Sequence, residues 1–148
     1  MSTSAMNKSG NKRWRAVRAY LLAAAISIVV NFIYARFSHG VSSPSMTWMF
    51  LYPLLGGCLF FLLLGFLVPS ASMAQYYRVF FNLHSSGIAT LTVNSFFKGI
   101  LEIAGTASSY TRMLSLIGWT LIIVGLMVLV LSIMEDQKSI GRIDGSRK

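Results

Sequence analysis

Three titratable side chains, His84, Lys98 and Glu102, stand in a segment that otherwise reads as apolar, running from Asn82 to Glu102. At roughly 100° per helical residue, His84, Ile88, Leu91, Ser95, Lys98 and Glu102 share one side, with Gly87 and Asn94 beside them. Lys98 and Glu102 are four residues apart and within reach of each other on a helix. Pairing spares either one from standing as an isolated charge in a dry setting. By rise per residue, Glu102 sits about 3 Å and Lys98 about 9 Å inside the end of such a helix. Asn31 and Tyr52, from two other segments, come out at similar depths.

These four, Asn31, Tyr52, Lys98 and Glu102, make a candidate polar pocket. Arg36, His39, His84 and Arg112 are its weaker candidates. Three chemistries fit it. The polar atoms act as structural glue, with Lys98 reaching to the interface and Glu102 paired to it. Alternatively the pocket takes a small anion, a lipid headgroup or a peptide. In the third reading, His84 joins Lys98 and Glu102 in a proton or ion path. His84 lies about 20 Å along the axis from Lys98, so that path requires intervening water. No catalytic set is expected: there is no HExxH, no carboxylate pair inside the apolar segments, no phosphate-binding loop and no recognisable nucleophile turn. No cofactor and no metal site is expected either. The lone Cys58 lies mid-segment and reads as a small packing residue.

The segments that position these groups are set by composition. Of 148 residues 55% are hydrophobic and 11% charged, against about 25% charged in a soluble domain. That excludes a soluble enzyme and a disordered tail. Four stretches approach the ~20 residues that cross ~30 Å of hydrocarbon: about 17–35, 46–68, 79–104 and 115–134. The third is the most polar, carrying His84, Asn94, Lys98 and Glu102. The expected fold is therefore all-α, an integral membrane protein with four transmembrane helices in an antiparallel bundle. Residues 1–16 are expected to be a disordered basic leader, and 135–148 a tail.

Charge gives the orientation. Thirteen Lys and Arg against four Asp and Glu give +9. Such an excess in a soluble chain suggests nucleic acid; flanking apolar spans, it reads as an orientation signal, and no nucleic-acid partner is expected. With four crossings, ten basic residues fall on the cytoplasmic side, and Arg36, Lys98 and Arg112 fall outside. Both termini are then cytoplasmic, in the cell membrane. The first span is read as uncleaved, because Ile33 stands where a signal peptidase site after Ala35 needs a small residue. Tyr34, Phe37, Trp48, Tyr52, Tyr110 and Trp119 form the outer aromatic belt, and Trp14, Tyr76 and Tyr77 the inner one.

Helices in lipid associate through close backbone approach. The first span offers Ala19, Ala23, Ser27, Asn31 and Ala35 at intervals of four. The fourth offers Gly118, Gly125 and Ser132 at intervals of seven. The second offers Gly56, Gly57 and Gly65, with Pro53 bending it near its outer end. The expected partners are the bilayer and, through these small-residue faces, a second copy or another membrane protein. The chain is thus expected to be a small non-enzymatic accessory or interaction subunit of unknown biochemical activity; the alternative is an oligomeric transporter or channel component with an outward-facing polar pocket.

Overall fold

The computed structural model describes the backbone of residues 3–37, 43–67 and 76–145, and side chains within 14–37, 43–66 and 76–135. The described elements are all helical: α1 (Thr3–Phe37), α2 (Pro44–Thr47), a π-helical segment (Tyr52–Leu59), α3 (Phe60–Leu67), α4 (Tyr77–Ile103) and α5 (Tyr110–Gly145). Among the described residues three stretches are long and apolar enough to cross a membrane: Trp14–Phe37, Pro44–Phe66 and Tyr110–Glu135. They correspond to the first, second and fourth expected spans. Helix α4, at 27 residues, is as long as these, about 40 Å at 1.5 Å per residue, but too polar to belong with them. Helix α1 begins at Thr3 rather than after a disordered leader. No proline interrupts residues 3–16, and extending an existing helix adds one hydrogen bond per residue fixed.

The second apolar stretch is not one continuous α-helix. Pro53 has no N–H to give the carbonyl of Met49, which instead accepts from Tyr52 N at 3.4 Å. From Tyr52 the winding widens to a π-helix, closed where Phe60 N–H bonds Leu55 O. Its two glycines admit neighbours that any side chain would block. A Cβ on Gly57 would lie 2.1 Å from the Tyr20 ring, and one on Gly56 2.3 Å from Ile88 Cδ1. Tyr20 crosses over Gly57 to donate a 2.7 Å hydrogen bond to Ser85 Oγ, joining α1 to α4.

Helices α4 and α5 form the closest pair. Gly87 faces Gly118 and Ile122, Leu91 faces Gly118, and Gly125 faces the His84 backbone. Tyr76 N donates to Ser132 Oγ at 3.3 Å. Numbering rises along α4 as it falls along α5, so these two run in opposite directions. Gly118, Gly125 and Ser132 are all buried, as their seven-residue spacing implies. On α1 the inward face differs from the small-residue ridge. Val17, Ala24 and Ser27 are buried, with Tyr20 half-buried, while Ala19 and Ala35 are exposed. The fit of Tyr20 over Gly57 sets that rotation.

The larger packed cluster lies at one end, and a smaller one, Ile88, Leu91 and Ile122, lies between α4 and α5. Val17, Cys58, Phe61, Phe80 and Leu129, from α1, the π-helical segment, α3, α4 and α5, form one cluster. Phe61 stacks on Tyr20 at 5.5 Å and Phe80 lies 6.1 Å from both Phe60 and Phe61. This is the aromatic end; the other is the α2 end. Much of the remaining surface is apolar, with Leu22, Phe32, Leu116 and Leu131 each more than 60% exposed. Water does not suit such a surface, and lipid does.

Candidate functional site

Towards the α2 end, α5 and the second apolar stretch both pack on α4 but stand apart from each other. The gap is a groove of roughly 930 Å³, within the range of small-molecule sites. Helix α4 is its floor, giving His84, Ile88, Leu91, Asn94, Ser95 and Lys98. One wall runs from Pro44 to Phe60 with Trp48, Tyr52 and Leu55, and the other along α5 with Arg112, Ser115, Trp119 and Leu126. The face of α4 read from helical periodicity is inward from His84 to Ser95, whereas Lys98 and Glu102 at its end are exposed. His84, Gly87, Ile88, Leu91, Asn94 and Ser95 are all buried.

The structure divides the candidate residues. Tyr52, Lys98, Arg112 and His84 come together along the groove. Glu102 and Asn31 do not line it. Asn31 is half-buried on α1, and α1 contributes nothing to the groove. Arg36 lies over the Phe32 ring, 5.8 Å from its centre. His39 is outside the described residues.

Glu102 belongs to a different construction. Its carboxylate accepts from the hydroxyls of Ser43 and, at 2.6 Å, Ser45, with a 3.4 Å contact from Ser45 N. Ser95 Oγ donates to Ser45 O at 2.7 Å. Ser43 caps α2, its hydroxyl accepting from Met46 N at 3.2 Å, and Pro44 takes the first helical turn, a position where its missing N–H costs nothing. Gly99 leaves room for Met46, since a Cβ there would lie 2.7 Å from Met46 Cβ. The result is a clasp that holds α2 against the end of α4. Lys98 Nζ stands 3.9 Å from Glu102 Oε1, with 57% and 33% of the two side chains exposed. The four-residue spacing therefore brings the pair into ion-pair range, but at its outer limit and in the open. The serines are the principal partners. The signal for them was the string Ser43-Pro44-Ser45, a helix cap followed by a first-turn proline.

His84 closes the deep end of the groove. Its Nε2–H donates to Gly56 O at 2.8 Å, and the ring lies 4.4 Å from Phe60 in a stacked arrangement, with Phe61 and Phe80 each 5.6 Å away. Only 2% of it is exposed. Nδ1 of His84 and Oδ1 of Asn94 are buried with no hydrogen-bond partner. Among the described residues no group of three His, Cys, Asp or Glu side chains converges as metal ligands would.

No family model, curated protein or solved structure matches this chain. The site stands on its own geometry.

Proposed function

We propose that this is a multi-pass protein of the cell membrane with four spans and both termini cytoplasmic, a non-enzymatic accessory or interaction subunit whose groove faces outward and receives a ligand or partner. The observation that carries this reading is the groove itself: a polar-floored, cation-mouthed opening left between α5 and the second apolar stretch where both pack on α4. Four crossings follow from charge, because only an even number keeps the basic tail beside the basic leader. The polarity of α4 is no obstacle to crossing. Its inward polar groups are shielded by neighbours, and the hydroxyls of Thr90 and Thr92 bond their own carbonyls at Ser86 and Ile88, each at 2.8 Å. A binding role suits a site whose one imidazole is committed to Gly56 inside a phenylalanine cage.

A cysteine placed at Ser115, on the groove wall, in a Cys58→Ala background should react with a membrane-impermeant maleimide added outside intact cells. Reporter fusions after Arg78 and after Lys148 should both report cytoplasm. Labelling only after permeabilisation, or an external signal at Lys148, would overturn the scheme.

The second reading, a transporter or channel component, is favoured by the polar run Tyr52, Asn94, Ser95 and Lys98 along one groove. Against it, the aromatic cluster of Phe61 and Phe80 fills the helix junction beyond His84. Ion flux into proteoliposomes that disappears in Asn94→Leu would establish transport in place of simple binding.

A further inference from the structure

Charge at the mouth of the groove is out of balance. The chain has four acidic residues. Three of them, Glu135, Asp136 and Asp144, are on α5 itself, at least about 34 Å along the helix from Arg112. The fourth, Glu102, is ion-paired with Lys98 and hydrogen-bonded by Ser43 and Ser45. The α4–α5 register, with Leu91 against Gly118 and Gly87 against Ile122, also sets Glu102 about 7 Å farther out than Arg112. Arg112 is exposed at the mouth and pairs with no carboxylate among the described residues. Arg36 ends α1 on the same side of the molecule, where Tyr34 packs edge-on against Phe96 at 5.6 Å. Three cations, Arg36, Lys98 and Arg112, thus stand there against the single carboxylate of Glu102.

The shape of the groove is the second observation. It runs about 20 Å along α4 from Lys98 to His84, so its roughly 930 Å³ gives a mean section of about 45 Å². A helix with slim side chains is about 10 Å across, and half of its section is about 40 Å². Trp48 and Trp119, 60% and 53% exposed, border the groove with Tyr52 and Arg112, and Trp, Tyr and Arg are the residue types that dominate binding at protein interfaces. Ser95, Thr111 and Ser115 line its upper part and are small enough for a neighbouring backbone to come close.

We infer that the groove seats a single transmembrane helix of another protein, one with a slim face and an Asp or Glu at its outer end. The inference rests on the groove being an outward-facing interaction site. The helix lies half-sunk between α5 and the second apolar stretch, and its carboxylate meets Arg112. Its backbone hydrogen bonds are already made internally, so the apolar lining of Leu55, Ile88, Leu91, Ile122 and Leu126 suits it. A second copy of this chain matches less well, because at that depth it offers cations, and its one outer carboxylate is held by Ser43, Ser45 and Lys98. A single acyl chain leaves much of the section open. An anionic headgroup is also the poorer match for Arg112, since the anionic lipids of a cell membrane are concentrated in the cytoplasmic leaflet.

The test uses the full chain with Trp14→Phe, which leaves Trp48 and Trp119, both at the groove, as the fluorophores. Three Leu–Ala peptides of about 22 residues carry dansyl at mid-span and differ only in Glu, Gln or Lys near one end. They are titrated in phosphatidylcholine bicelles, and energy transfer from the tryptophans reports docking. The Glu peptide should bind about three-fold more tightly than the Gln peptide, and the Lys peptide should bind least. Arg112→Gln should erase the preference for Glu over Gln. Ser115→Phe, which narrows the groove, should weaken all three peptides by about ten-fold. Equal binding of the Glu and Gln peptides by the unaltered groove overturns the inference, as does the absence of transfer to every peptide. Displacement of the Glu peptide by equimolar oleoyl lysophosphatidate would make the groove a lipid site. Self-association that the peptide abolishes would make a second copy the occupant, and either result also overturns the inference. The comparison among peptides needs no groove variant, so a misfolded mutant does not shelter it. External labelling at Ser115→Cys reports orientation separately. A labelled groove that takes no helix sinks this inference and leaves the outward groove standing; a groove that takes the helix but labels only after permeabilisation overturns the outward reading instead.

Discussion

The two ends of the molecule solve the same problem with different materials. At the aromatic end, helices meet chiefly through large rings and glycine notches, with three hydrogen bonds set among them: Tyr20 to Ser85, Tyr76 to Ser132 and His84 to Gly56. At the α2 end they are joined by a carboxylate, three serine hydroxyls and a capped single turn, and a groove stays open beside them. Rings interlocked with notches have one good arrangement, because displacing either part produces overlap or a void. A hydrogen-bonded clasp near the surface has water as a competitor for every contact. The aromatic end should therefore set global stability, and the α2 end should set local order and access to the groove.

Substitutions can break that contrast. The largest loss is expected for Phe80→Ala, which removes a ring that is 0% exposed and should cost about 3 kcal/mol or more in unfolding from detergent. A loss below that of any clasp variant would reverse the assignment. Next is Gly87→Ala. Its Cβ would lie 2.8 Å from the Gly118 carbonyl oxygen, a backbone atom, whereas in Gly118→Ala the close contact is the Leu91 side chain at 2.7 Å and the Gly87 carbonyl oxygen stands farther off at 3.3 Å. The first should cost about 2 kcal/mol and the second clearly less, because a side chain rotates away more easily than a helix moves. Equal melting temperatures for the two would mean that α4 and α5 slide freely.

Within the clasp the expected effects are smaller. Glu102→Leu should cost about 1 kcal/mol through the lost serine hydrogen bonds, and faster amide exchange should be confined to the α2 end. Exchange that rises equally in α5 would show that the clasp is part of the global fold. A double-mutant cycle sharpens the point: Glu102 with Ser45 should couple more strongly than Glu102 with Lys98. A 3.9 Å pair with side chains 57% and 33% exposed should couple by no more than about 0.5 kcal/mol. Lys98→Met alone is expected to be nearly silent for stability, which keeps it clean as a probe of ligand binding.

What was legible in the sequence follows the same division. Helical periodicity placed His84, Leu91 and Ser95 on the inward face of α4. The glycine spacing of α5 marked its packing face, because both signals are local to one helix. The inner face of α1 was not legible: its alanine ridge was the stronger pattern, yet the Tyr20–Gly57 contact between distant segments decides the rotation. The tie of Glu102 to Ser43 and Ser45 also spans about sixty residues of chain, whereas Lys98 was the one partner its own helix offered. The groove arises from how far the second apolar stretch and α5 stand apart over α4, which no single helix encodes. Pro53 announced a bend in the second stretch and the paired glycines announced close approach, but neither announced its π-helical form.

The modest apolarity of α4 also bears on how such a protein is made. If four spans cross, a ribosome-bound chain that has exposed only α4 presents the insertion machinery with a helix carrying His84, Asn94, Lys98 and Glu102, a poor candidate to enter lipid alone. Helix α5 follows after only six residues, 104–109, is strongly apolar, and matches α4 notch for notch at Gly87, Gly118 and Gly125. The pair is suited to enter as a single hairpin, the later helix drawing in the earlier one. A chain ending before α5 would then leave α4 stranded at the membrane surface, so synthesis of the last quarter would determine the topology of the third segment.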